Sequence, residues 1–241
     1  MIEPSPGASA EPAARAEFWR GAVAILPLWL GIVPFAVAFA VLARTDDFSS
    51  FETIALSLFV FAGSAQLAFI RLAGDGAGWL SILLTVLVLN ARHVLYGLSL
   101  DRRLPPRTKP PRAWLAYVLT DEAYGFSMRE FARGTGTSAF FFGAGSSLFA
   151  CFTSATILGA LFGGFIPDPK KLGLEFVFPL CFLALLLPLL KTRVDFTVAA
   201  LGAALALIVS RFTSGGATIL AATIGAALAG SILSRPKPEP V

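Results

Sequence analysis

The chain of 241 residues is 56% hydrophobic and only 14% charged, against about 25% charged residues in an ordinary soluble domain, and its mean hydropathy is +0.76. A globule of this length cannot hide so much apolar surface, which excludes a soluble enzyme, a disordered protein and a secreted disulfide scaffold, and makes the bilayer the solvent for most of the chain. The net charge of +4 then belongs to basic loops at a membrane face rather than to nucleic-acid binding.

Residues 1–17 are rich in Ala and Pro, carry Glu3, Glu11 and Glu17, and lack the basic start of a signal peptide. They read as a disordered N-terminal tail. A transmembrane domain is expected over 18–234, in eight apolar segments: 18–43, 53–72, 77–100, 113–128, 138–166, 172–190, 195–210 and 215–234. Residues 235–241 form a proline-rich C-terminal tail. At about 20 residues per span the length allows six to eight crossings. Barrel strands would be about 10 residues of alternating polarity, and open backbone cannot face lipid. The expected fold is all-α, a polytopic transmembrane helical bundle of six to eight membrane segments with broken or re-entrant helices.

Three segments are interrupted. The first contains Pro27 and Pro34, each of which removes a backbone donor and strains the preceding turn. The second has Phe61-Ala62-Gly63-Ser64-Ala65-Gln66 at its centre, and the fourth has Thr120-Asp121-Glu122. Interrupted helices are how many transporters expose backbone groups near the midplane; kinks also serve as plain packing devices. The later helices carry packing signals instead, in Gly159-xxx-Gly163 and in Ala199, Ala203 and Ala206. Cys151 and Cys181 sit inside apolar runs as small buried hydrophobes. No metal-ligand spacing is present and no cofactor is expected.

Orientation follows from Lys and Arg. The loop 101–112 holds Arg102, Arg103, Arg107, Lys109 and Arg112 against Asp101, which puts the end of the third segment in the cytoplasm. If all eight segments span, the basic residues other than Arg92 divide nine against nine, those five included. If segments two and four dip in and return, 13 fall inside and 5 outside. The second arrangement obeys the positive-inside rule, and its two non-spanning segments are those with polar centres.

The costly polar residues are few. Arg92 lies nine residues before Asp101, about 13 Å below the interface at 1.5 Å per residue. Such a charge faces the bundle interior or snorkels. Asn90, His93 and Gly97 share one helix face, and Arg92 and Tyr96 a neighbouring one. His93, the only histidine, carries a proton or serves as a hydrogen-bonding partner. Asp121 and Glu122 cannot both ionise cheaply in an apolar run; an ion pair with Arg92, a titrating acid, or a surface helix with its acids in water each answers the problem. Ser64 and Gln66 offer uncharged donors and acceptors to a ligand or to another helix. No HExxH, Walker A, GxSxG or cysteine–histidine array occurs, so no catalytic residue is expected.

These motifs together resemble the AzlC family of branched-chain amino acid permeases and exporters. The resemblance rests on Leu26-Pro27-Leu28-x-x-Gly31-x-x-Pro34-Phe35, Phe61-Ala62-Gly63-Ser64-Ala65-Gln66, Asn90-Ala91-Arg92-His93-x-Leu95-Tyr96, Thr120-Asp121-Glu122 and Ile166-Pro167-Asp168-Pro169-x-x-Leu172-Gly173-Leu174, in order across about 18–235. It departs from the family's habit at Ala36, where Gly is common, and near Phe152, where a Trp is. The resemblance implies the large subunit of a two-part exporter of valine, leucine and isoleucine in the bacterial cytoplasmic membrane, paired with a small AzlD-like membrane protein and using the proton gradient. Pro34, Phe35, Ser64, Gln66, Asn90 and Tyr96 are then the candidate substrate-binding residues, and Arg92, His93, Asp121 and Glu122 the candidate charge network. Two other classes stay open: a structural subunit that needs a partner to act, and an intramembrane enzyme using His93 with an acid.

Overall fold

A computed structural model of the chain describes residues 10–104, 110–163, 190–213 and 216–233, with Phe176, Leu180, Leu183, Leu186 and Leu187 between them. The helices are α1 (Ala10–Ala24), α2 (Trp29–Thr45), α3 (Ser50–Phe59), α4 (Gly63–Gly74), α5 (Trp79–Asp101), α6 (Arg112–Tyr117), α7 (Asp121–Ala132), α8 (Ser138–Phe162), α9 (Arg193–Val209) and α10 (Gly216–Leu233), with a 3-10 turn over Leu26–Leu28. No strand occurs among the described residues. Ala13–Thr45, Trp79–Asp101 and Ser138–Phe162 are each long and apolar enough to cross a bilayer. Helix α1 starts at Ala10, inside the stretch expected to be a disordered tail. Most of segment six, the Ile166–Leu174 motif and Cys181 lie outside the described residues.

The expected interruptions have structural counterparts. Pro27 sits in the 3-10 turn and Pro34 inside α2. The second segment breaks at 60–62, between α3 and α4, where Phe61 takes a left-handed φ of 33°. The fourth breaks at 118–120, between α6 and α7, and Thr120 caps α7 by accepting from the Ala123 N–H at 3.2 Å.

The chain divides into two compact units, 1–66 with 90–168, and 67–89 with 169–241. In the second, α9 and α10 pair antiparallel: a Cβ added at Gly202 would lie 3.3 Å from Ala226, and one at Gly230 3.6 Å from Val198.

The first unit is built around α8. Helices α1 and α2 run parallel to it in near-constant register: Glu17 with Thr137, Ala22 with Ser147, Val37 with Gly159, and Val41 with Gly163. A Cβ at Gly159 would lie 2.7 Å from Ala40 and one at Gly163 2.9 Å from Val41, so the small-xxx-small pattern sets the approach of α2. Phe39, Phe140, Phe141 and Leu148 are fully buried here.

The broken helices come at α8 from opposite ends. Ser50 of α3 bonds the Ala160 carbonyl, Ser57 bonds Thr156, and Phe61 packs on Phe149 and Phe152, so α3 runs from the C-terminal end of α8 toward its middle. Gln66 of α4 then reaches back to Ser57. A straight helix would separate the two by about 13.5 Å, beyond a side-chain hydrogen bond, so the chain turns at the break. On the other side Tyr117 packs on Phe149, and Gly145 lies against Val118. Asp121 pairs with Arg92, while Tyr124 meets Tyr96 and Ser99 further along α5. Helix α7 therefore sets out from the break toward the Asp101 end of α5. The Tyr117 hydroxyl donates to the Leu58 carbonyl and ties the two tips together.

Nothing in the sequence reading anticipated that this plan is a repeat. Each copy is a short helix, a three-residue break, a 12-residue helix, a short loop and a long helix of 23 or 25 residues. A shift of 58 positions carries Gly63 to Asp121, Gly74 to Ala132 and Gly76 to Gly134. Gly76 and Gly134 have matching left-handed φ of 71° and 77°, a conformation glycine adopts at no steric cost.

Candidate substrate site at two helix breaks

Arg92, in mid-α5, reaches the starts of both second arms. Its Nη2 donates to Ser64 Oγ at 2.7 Å, in the first turn of α4. Its Nη1 lies 2.9 Å from Asp121 Oδ2, the first residue of α7. Helix starts carry unsatisfied N–H groups and partial positive charge. A bare guanidinium between two of them would be repelled, and the Asp121 carboxylate offsets that. The arginine and aspartate side chains are 38% and 32% exposed, which leaves the pair open to a ligand.

Other candidates gather around this pair. Tyr96, one turn along α5, interacts with both Asp121 and Arg92 and stacks on Tyr124 at 4.4 Å, whose hydroxyl donates to Ser99 at 3.0 Å. His93 stands edge-on to Tyr96, with Nδ1 3.2 Å from the Asn90 carbonyl. A carbonyl can only accept, so Nδ1 holds the proton of the neutral ring and Nε2 is left as an acceptor. Glu122, half-buried, lies against its own N–H and Thr120, beside Asp121.

Gln66 takes a different place. It is fully buried, its Nε2 donating to Ser57 Oγ at 3.3 Å, and Ser57 donating onward to Thr156 at 3.1 Å. Its Oε1, with Asn90 Oδ1 and Arg92 Nε, is buried without a partner among the described residues. Phe35 packs on the start of α4, where a Cβ on Gly63 would lie 2.8 Å from its ring, while Pro34 is exposed. The structure thus joins Ser64, Arg92, Asp121 and Tyr96, flanks them with His93, Glu122 and Asn90, sets Gln66 and Phe35 on the α4 side, and leaves Pro34 outside the polar cluster.

Ser57, Thr156, Ser99, Tyr117 and Tyr124 also belong to this assembly, and sequence reasoning missed them. Hydroxyls in apolar helices usually bond their own backbone, so only a partner across helices could have marked them. No group of three or more His, Cys, Asp and Glu able to hold a metal occurs among the described residues.

Compared with known proteins, residues 27–166 match the AzlC protein family, a stretch that contains every residue of this cluster. The chain belongs to the AzlC family. It is 33% identical over 222 residues to an uncharacterized membrane protein of Archaeoglobus fulgidus, covering 91% of this chain and 94% of that one. It is 28% identical to the inner membrane protein YgaZ of Escherichia coli, over 82% of this chain and 80% of that one. It is 22% identical to the branched-chain amino acid transport protein AzlC of Bacillus subtilis, over 66% and 63%. No solved structure matches. Membership of this family, relatives that are membrane proteins, and apolar helices of spanning length make the chain a membrane protein of the AzlC type.

Proposed function

We propose that the chain is a secondary transporter that exports small amino acids, branched-chain ones foremost, across the bacterial cytoplasmic membrane, using the proton gradient and acting with a small AzlD-like membrane subunit. The name of the Bacillus subtilis relative supports the substrate class, and that of the Escherichia coli relative the membrane. The observation that carries the reading is the Arg92 bridge between Ser64 and Asp121 at two helix breaks. Charged groups at membrane depth are costly and mark substrate and proton pathways, and broken helices are where transporters bind substrate.

In this reading Arg92 and Asp121 hold each other when the site is empty. A zwitterion offers each a new partner, and protonation of an acid at the start of α7 releases Arg92 from the pair. His93 and Tyr96 border the route by which that proton moves. Phe35 and the apolar residues near it suit an aliphatic side chain. The turn-back at each break fits segments two and four entering from opposite faces, the arrangement that gives 13 basic residues inside against 5 outside.

The test is efflux of leucine, isoleucine and valine from preloaded cells expressing Arg92→Ala or Asp121→Asn. Both variants, present in the membrane at wild-type amounts, are expected to lose at least ten-fold in rate. Normal export by both would discard the network.

A further inference from the structure

We propose that the two half-helix starts are opposite ends of one oriented zwitterion site, with the substrate α-carboxylate at the start of α4 and its α-ammonium at the start of α7. This rests on the transporter reading and specifies which end of the amino acid each repeat holds.

The repeat carries the argument. Its two copies present the same backbone feature, an N-terminus following a three-residue break, at positions 63 and 121. The residues there are opposite in chemistry. Helix α4 begins Gly63-Ser64-Ala65, which adds no charge to the N–H groups and positive end of the dipole, and the nearest charge is the Arg92 guanidinium on Ser64. That is an anion site. Helix α7 begins Asp121-Glu122-Ala123, and the Asp121 carboxylate alone outweighs the helix's own partial positive charge and leaves a site for a cation. One guanidinium touches both starts, so they lie no further apart than the width of that group and two hydrogen bonds. An α-amino acid head group carries its two charges at that scale.

The unmet hydrogen-bonding capacity is that of a zwitterion's complement. Asp121 leaves Oδ1 unpaired at the start of α7, and Asn90 leaves Oδ1 unpaired two residues before Arg92. Both are acceptors, suited to an ammonium at the α7 end. The unpaired Arg92 Nε is a donor, suited to a carboxylate. Unpaired buried polar atoms are costly, and a bound head group would satisfy both kinds together.

The orientation is tested by titrating the purified full-length chain in lipid nanodiscs with three probes: leucine, leucinamide, which lacks the carboxylate, and 4-methylpentanoate, which lacks the ammonium. Ser64→Ala is expected to weaken leucine and 4-methylpentanoate about ten-fold and leave leucinamide unchanged. Asp121→Asn is expected to weaken leucine and leucinamide by a similar factor and leave 4-methylpentanoate unchanged. Should either variant aggregate, Ser64→Asp and Asn90→Leu replace them: the first is expected to abolish leucine binding while sparing leucinamide, the second to weaken leucinamide and spare 4-methylpentanoate. Equal loss on all three probes, or the reverse pairing, overturns the orientation while efflux leaves the transporter reading standing. A wild-type chain that exports leucine yet binds none of the probes overturns the site alone, and one that neither exports nor binds overturns both.

Discussion

The two broken helices share a plan and differ in how each break is held. At the first, Phe61 takes a left-handed backbone and neutral groups secure the turn: Gln66 to Ser57 to Thr156 of α8, with Phe61 wedged on Phe149 and Phe152. At the second, Thr120 caps α7, Gly145 admits the Val118 backbone, and the helix start is anchored by charge, Asp121 to Arg92. Position 72 of the first copy is a buried Leu, and its counterpart in the second is Glu130, paired with Arg20 and Arg133. Backbone geometry is thus separable from charge. The repeat supplies two helix starts, and a handful of substitutions decides what each attracts.

The largest expected effect breaks the second copy at its tip. A Cβ on Gly145 would lie 2.5 Å from the Val118 carbonyl oxygen and 2.8 Å from its Cβ, with backbone rather than a flexible side chain in the way. Gly145→Val is expected to cost about 3 kcal/mol, the upper end for overpacking, read as a lower unfolding temperature and reduced monodisperse yield in detergent. The long helices start at Trp79 and Ser138, one residue further apart than the shorter ones, so the counterpart of Gly145 in the first copy is already Val86, and Val86→Ala is expected to be mild.

Next comes the bond between the copies. Arg92→Ala leaves Asp121 without its cation, at an expected cost of about 2 kcal/mol, below the range for fully buried pairs because both side chains are about one-third exposed. A cycle with Asp121→Asn is expected to show about 1 kcal/mol of coupling in thermal unfolding. Strict additivity would mean that the pair contributes nothing to holding the two starts together.

Much of this was legible in sequence because lipid is an unforgiving solvent. Pro27, Gly63-Ser64 and Thr120-Asp121-Glu122 stand out in apolar runs, and each lies at or beside a break. For Arg92 at membrane depth an ion pair with Asp121 or Glu122 was one of the answers that the sequence left open, and the structure makes it with Asp121. The repeat was not legible. Its second arms share little beyond Ala65 with Ala123, Arg71 with Arg129, Gly76 with Gly134 and Gly78 with Gly136, because each copy is selected for its own neighbours. Nor was the bond from Arg20 to Glu130, 110 residues away; counted as loop charges they set orientation, and only the parallel course of α1 and α8 brings them together.

A smaller effect separates the inner supports. Thr156→Val strands the buried Ser57 hydroxyl at the first break, at an expected cost of about 1–2 kcal/mol. Tyr124→Phe, at the position equivalent to Gln66, removes one half-buried bond to Ser99 and is expected to cost about 0.6 kcal/mol, near the average for hydrogen bonds between membrane helices. Equal losses in thermal unfolding would erase the distinction between a neutral spine and a charged anchor.

The smallest effect uses pH. Glu130 lies beyond the apolar run 113–128, and hydrogen bonds from Arg20, then Thr135 and Arg133, hold its carboxyl below the ordinary carboxylate value. A carboxyl depressed in the folded state stabilises the fold above its unfolded value, and that contribution is lost as pH falls through the folded one. The unfolding temperature of the wild type is therefore expected to decline a few degrees more than that of Glu130→Gln between neutral pH and the region below the ordinary carboxylate range. The substitution Leu72→Met, at the equivalent position of the first copy, removes no titrating group and is expected to leave the acid sensitivity at its wild-type size. A Glu130→Gln curve parallel to the wild type would mean that the Arg20 contact survives protonation, through the Thr135 carbonyl and Glu17 that the same guanidinium also engages, and that charge at this corner orients the chain without stabilising it.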